Sequence, residues 1–186
     1  MFIIKNNYYF YIDNCGSINL NLIKIKKKVT IIYRNNGHTE DTEKINDFRK
    51  ECNRKKYKFY IANNITLVKK YKADGLYLSS YNKKYYHQKN LNLIGSALNY
   101  KEIYEKQKQG CNTIILSRIF KTNYKNKESF IGTTKFNLIT KKYKHKIVPL
   151  GGINSSNLLK LKLIFADGFG LLSEIKKKPA ITSRLF

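Results

Sequence analysis

Val148-Pro-Leu-Gly-Gly-Ile-Asn154, followed downstream by Ala166-Asp-Gly-Phe-Gly-Leu-Leu-Ser-Glu-Ile175, is the stretch whose reading decides the fold. Its first half reads as an apolar strand that stops at two glycines and then enters a helix. Adjacent glycines permit a sharp turn, and without a Cβ an anion can approach the backbone amides. Asn154, Ser155 and Ser156 are N-cap residue types, and Leu158, Leu159, Leu161, Leu163 and Ile164 suit the body of the expected helix. Gly168–Leu172 reads as another short buried strand, with Ser173 placed to start a last helix. Two strand-to-helix turns of this kind make a ready phosphate site. In a parallel barrel, such sites recur after the seventh and eighth strands.

Working outward, the same alternation runs back to the start of the chain. Short apolar or aromatic runs predict strands at Tyr8–Ile12, Val29–Tyr33, Lys58–Ala62, Leu76–Leu78, Leu93–Leu98, Thr113–Leu116 and Ile147–Leu150. Between them, Ile18–Ile25 predicts a short first helix, and Thr39–Glu43 opens a second whose buried stripe is Ile45, Phe48 and Cys52. Further helices are expected through Leu67, Val68 and Tyr71, from Asn99 with Ile103 and Tyr104 as its apolar residues, and over Thr133–Tyr143. Ser79–Asn90 has no regular pattern, and Ser117–Gly132 reads as a long functional loop. With Gly168–Leu172 as the eighth strand, the expected fold is α/β: one domain over residues 1–186, a compact (β/α)8 TIM barrel with shortened loops and C-terminal helix. At 186 residues the chain is short for such a barrel, which usually needs about 200 or more.

Composition narrows the function classes. The net charge of +25 favours anionic partners, but the lysines are spread along the whole chain rather than gathered in a block. A nucleic-acid-binding protein is therefore the minor expectation; it would need basic residues on one face with exposed aromatics between them. Cys15, Cys52 and Cys111 are odd in number and widely spaced, which suggests neither a disulfide framework nor a zinc site. His38, His87 and His145 have no metal-ligand spacing. No run approaches the roughly 18 apolar residues of a membrane span, and Met1–Ile4 is too short for a signal-peptide core, so a cytoplasmic protein is expected.

In a barrel, chemistry sits at the C-terminal ends of the strands. Those ends carry Arg34, Asn63, Asn64, Ser79, Ala97, Arg118, Gly151, Gly152 and Ser173, with Thr122 and Lys125 in the long loop. This is an anion-binding rim rather than a set of acid–base carboxylates.

The pattern resembles the thiamine-phosphate synthase/TenI family. Gly151-Gly152-Ile153, Ala166-Asp167-Gly168 and Leu172-Ser173-Glu174-Ile175 are similar to that family's C-terminal phosphate cradle. Ile31-Ile-Tyr-Arg34 looks like its second-strand ending, where an Arg and a Lys two positions later hold pyrophosphate; Asn36 stands at the Lys position. Tyr60-Ile-Ala-Asn63-Asn64 matches its Asn-Asp pair, with Asn64 where a metal-binding Asp belongs. Ala73-Asp74-Gly75-Leu-Tyr-Leu78 matches its fourth strand, and Asn82 falls at the second metal-binding Asp. Ile94-Gly95-Ser-Ala97 matches the fifth strand, with Ala97 for a pyrimidine-side Ser. Phe120-Lys-Thr122-Asn-Tyr124-Lys125 is similar to a Phe-x-Thr-x-Thr-Lys loop, with Tyr124 for the second Thr.

The resemblance implies condensation of hydroxymethylpyrimidine diphosphate with thiazole phosphate to thiamine phosphate and pyrophosphate. It assigns Gly151, Gly152 and Ser173 to the thiazole phosphate, Asn63 with Arg34 and Lys125 to the diphosphate, and Thr122 and Leu172 to substrate binding. Arg34 and Lys125 become the catalytic cations, and Asn64 and Asn82 the metal positions for Mg²⁺. The implied partners are the phosphorylated thiazole and the pyrimidine diphosphate. The competing reading is a TenI-like protein that binds a phosphorylated heterocycle with weak or no catalysis, in a regulatory or tautomerase-related role. The tautomerase places a His where this chain has Arg118, and arginine makes a poor general base.

Overall fold

Runs of Val, Ile, Tyr and Phe bounded by Gly, Asn and Asp favour short strands over helices, and they become eight of them. The computed structural model describes residues 6–23, 28–35, 41–88, 90–122, 129–154 and 156–171. The strands are β1 (Asn7–Ile12), β2 (Lys28–Tyr33), β3 (Lys58–Ala62), β4 (Gly75–Leu78), β5 (Leu93–Ala97), β6 (Thr113–Ser117), β7 (Lys146–Leu150) and β8 (Gly168–Leu171). All pair in parallel with their chain neighbours, and β8 returns to pair with β1 from Asn7↔Gly168 to Phe10↔Leu171. The result is the closed (β/α)8 TIM barrel expected from the alternation.

The helices are α1 (Thr42–Arg54), α2 (Ile65–Lys70), α3 (Tyr100–Lys108) and α4 (Thr133–Lys142). Local chemistry sets their ends. Asp41, Asn64 and Asn99 each accept a backbone N–H of the first turn, and Glu102 reaches back to Leu98 N–H and Asn99. Ile45, Phe48 and Cys52 form the buried stripe of α1 as expected. Three expectations need correction. The first helix is replaced by single 3₁₀ turns at Cys15–Ser17 and Leu20–Leu22, and the helix after the paired glycines is a 3₁₀ segment, Leu158–Leu163. In that segment Leu161 is buried, whereas Leu159 and Leu163 face solvent, so the leucine run never forms one apolar stripe. On α3, Ile103 is buried but Tyr104 is exposed, and Lys106 takes the inward position instead.

Strand alternation divides the core in two. Tyr8, Phe10, Ile31, Phe59, Ile61, Leu76, Leu78 and Ile114 face the helical layer. Tyr9, Tyr11, Ile32, Tyr77, Ile94, Ile115 and Val148 fill the barrel interior, with Tyr60, Ala62 and Leu150 against them. An eight-stranded ring is just wide enough to be packed by side chains, and here tyrosines do most of the packing. Two glycines make the fit possible: a Cβ on Gly75 would strike the Tyr60 ring, and one on Gly168 would strike the Asn7 carbonyl. At the N-terminal end, Asp74 binds the Phe59 amide at 2.8 Å and pairs with Arg49 at 3.0 Å and Lys58 at 3.1 Å, joining α1, β3 and β4.

Two outcomes are expected. Gly168→Ala forces β8 from β1 and lowers the unfolding free energy in urea by about 1–3 kcal/mol, the usual range for overpacking. Burial raises the pKa of Tyr11, Tyr77 and Tyr9, and takes Tyr60 to about 12. Since the folded pKa exceeds the unfolded one, their stabilising contribution is complete below about pH 10 and is lost as pH rises through the folded values. A phenolate absorbance titration shows these rings ionising above the exposed ones, in step with loss of near-ultraviolet dichroism.

Candidate functional site

A parallel barrel gathers the C-terminal ends of its strands at one mouth, and three turns there are held in detail. The first follows β2. Arg34 donates its amide to Ile12 O at 2.8 Å, which seats the residue beside β1. Its guanidinium lies over the Tyr11 ring, 5.4 Å from the centroid, and donates through Nη2 to Asp13 Oδ1 at 2.8 Å. Below it, Tyr11 and Tyr77 hydroxyls meet at 3.3 Å, and Tyr77 also bonds Ser96. Both phenols stay neutral, because burial disfavours the phenolate. Asp13, which ends β1 in the sequence reading, is thus a member of the site that the sequence alone did not expose.

The second turn links β3 with the residues after β4. Asn63 adopts φ 57°, in the left-handed region that Asn tolerates better than most residues. Its Oδ1 accepts from Ser79 N–H, Ser79 Oγ and Asn82 Nδ2, each at 3.0 Å, and its Nδ2 donates to the Tyr81 hydroxyl at 3.1 Å. Asn82 is buried, and its Oδ1 accepts from Lys84 N–H at 2.9 Å. Asn64 Oδ1 accepts from Leu67 N–H at 3.0 Å and so caps α2.

The third comprises the turns after β6 and β7, which are bonded together. Ile119 N–H donates to Leu150 O at 3.0 Å and Phe120 N–H to Gly151 O at 3.1 Å. Gly151 and Gly152 both have positive φ, 91° and 72°. A Cβ on Gly152 would collide with the carbonyl of Phe120, and one on Gly151 would press on the Arg118 stem at 3.2 Å. The paired glycines are therefore required by backbone conformation and by the close approach of the turn after β6. Next to them, Ser117, Arg118, Phe130 and Lys135 line a groove of about 480 Å³.

A scan against family models matches thiamine monophosphate synthase over residues 16–175. The chain belongs to that family. No curated protein matches it. Among solved structures it is similar to thiamine phosphate pyrophosphorylase from Pyrococcus furiosus, with a TM-score of 0.75 and 18% identity over 97% of this chain and 93% of that one. The pyrophosphorylase from Bacteroides thetaiotaomicron gives a TM-score of 0.63 at 13% identity, over 97% and 96% of the two chains. An aldolase from Escherichia coli K12 gives 0.70 at 9% identity, over 98% and 91%. Such identities carry the barrel alone.

For this family member, the structure places Arg34, Asn63, Asn64, Asn82, Thr122, Gly151 and Gly152 at strand ends or in the turns that follow them. Lys125, Leu172 and Ser173 lie outside the described residues, as do Asn36, His38, Ser155 and the helix expected from Ser173. The donors do not suit a resident Mg²⁺. Hard cations want carboxylates, whereas the carbonyl oxygens of Asn64 and Asn82 already accept backbone N–H groups. Among the described residues no three His, Cys, Asp or Glu side chains cluster as metal ligands, and no described helix is long and apolar enough to cross a membrane.

Asn63→Ala removes four side-chain hydrogen bonds and leaves an alanine at positive φ. It should lower stability by about 2–3 kcal/mol, read from denaturant unfolding.

Proposed function

We propose that the chain joins hydroxymethylpyrimidine diphosphate to thiazole phosphate, releasing pyrophosphate. One observation carries the reading. The buried side-chain atoms without a hydrogen-bond partner among the described residues are Arg34 Nε, Asn35 Oδ1 and Thr122 Oγ1. Native proteins rarely leave such groups unpaired. All three follow the C-terminal ends of β2 and β6, at the mouth where a diphosphate would enter. A bound polyanion would accept from Arg34 and Thr122, and its polar neighbour could satisfy Asn35.

In the reaction, the thiazole nitrogen forms a bond to the pyrimidine methylene carbon as the bond from that carbon to the diphosphate oxygen breaks. The electron pair leaves with pyrophosphate. Arg34 answers that growing charge, exchanging Asp13 for the leaving group. The glycine turn after β7 holds the thiazole phosphate, and Lys125, from the family resemblance, adds a second cation. Tyr11 and Tyr77 close the floor and keep water from the reacting carbon. The Asn64 and Asn82 side chains bond no reacting group, since their oxygens already hold the backbone.

A second reading, binding without turnover, is favoured by the Arg34–Asp13 ion pair, which engages one of the site's cations before any ligand arrives. Incubation with both substrates, with Mg²⁺ titrated, separates the two. Thiamine phosphate formation is expected, and Arg34→Ala should lower kcat/KM by about 100- to 1,000-fold, the usual loss for one charge-stabilising donor. Binding of both substrates with no product overturns the transferase reading and leaves the binding protein.

A further inference from the structure

The connection from β4 to β5 contains no described helix, yet its first residues are densely hydrogen-bonded. The reason lies behind it, on α3. Lys106 is fully buried, with 0% of its surface exposed. Its stem crosses Gly95 of β5, where an added Cβ would lie 2.9 Å from Lys106 Cγ and Cδ and from Cys111 Sγ. The bare glycine is what gives the lysine a path. At the far end, Nζ donates to Asn82 O at 2.7 Å and to Gln109 Oε1 at 2.9 Å. Gln109 Nε2 donates to the same Asn82 carbonyl at 3.0 Å and to Lys84 O at 2.8 Å. Lys83 forms an ion pair with Glu105, the residue before Lys106 on α3.

A buried ammonium is costly unless its donors are used. Burial lowers the Lys106 pKa, Lys83 acts in the same sense, and Cys111, Glu105 and Glu102 oppose it. No packing requirement explains the charge, since an apolar chain of the same length would fill the Gly95 channel. What the ammonium does is fix a backbone carbonyl. That carbonyl belongs to Asn82, whose side chain holds Asn63, whose amide in turn reaches Tyr81 at the mouth.

We propose that Lys106, with Gln109, is a positioning pair that tethers the turn after β4 to α3 and thereby sets the Asn63–Asn82–Tyr81 geometry of the anion site. The pair touches no ligand. The role in substrate binding rests on the diphosphate reading above; the tether itself does not.

The test pairs amide hydrogen exchange with calorimetric binding of inorganic pyrophosphate, using Lys106→Met and Gln109→Ala in the full chain. The reporter amides are Ser79, which donates to Asn63, Asn82, which donates to Ser79 O, and Lys84, which donates to Asn82 Oδ1. Lys106→Met should speed exchange at these three while the strand amides of β2 and β3 stay unchanged, and should weaken pyrophosphate binding on the order of tenfold. A core residue with no positioning role would loosen the whole barrel or nothing, and either result overturns the proposal. If Lys106→Met does not fold, Gln109→Ala is read the same way, and unchanged exchange with unchanged affinity overturns it. If the unaltered chain does not bind pyrophosphate, the diphosphate reading falls, while exchange at the three amides still decides the tether.

Discussion

Everything at the mouth depends on the ring being shut. Eight short strands bury their backbone polar groups only if the last one finds the first, and the join is made where Gly168 lies against the Asn7 carbonyl. The pairing from Asn7 to Phe10 then fixes where Ile12 ends, and Ile12 O takes the amide of Arg34. Closure and the placing of the cation at the second strand end are thus one constraint. The interior tyrosines support both, since the rings that fill the barrel also provide the surface on which the guanidinium lies.

How much of this could be read from the residues varies with the physics involved. Strands were legible because Tyr8–Ile12 or Ile147–Leu150 can do little but extend and bury, and their bounds in the structure shift by at most one residue. The helices after β1 and β7 were not. Leu158–Leu163 has the composition of a helix, but successive lysines at 160 and 162 and leucines on both sides leave no continuous apolar face. On α3, choosing Tyr104 over Lys106 as the buried residue follows hydrophobicity; the outcome is set by Gly95, on another strand, which no local pattern reveals.

The site shows the same division. Arg34, the Asn63-Asn64 pair and the paired glycines stand where the strand ends put them, so motif and topology sufficed. Their partners did not announce themselves. Asp13 looks like turn punctuation, and its ion pair with Arg34 joins residues 21 apart. Asn82 looks like any loop amide, and only the fold shows its side chain closing on Asn63. Of the 37 lysines and arginines, seven (Arg54, Lys69, Lys70, Lys106, Lys108, Lys141 and Lys142) sit in the last turns of the four described helices, where cations complement the helix dipole.

The chain contains no tryptophan, and Tyr11 sits directly beneath Arg34. Its near-ultraviolet signature therefore comes from tyrosines and phenylalanines, with one tyrosine roofed by a guanidinium. Lifting a charge from above an aromatic ring alters the asymmetry of that ring's surroundings. An anion that drew Arg34 away would therefore report itself in the dichroism of Tyr11, with no label attached.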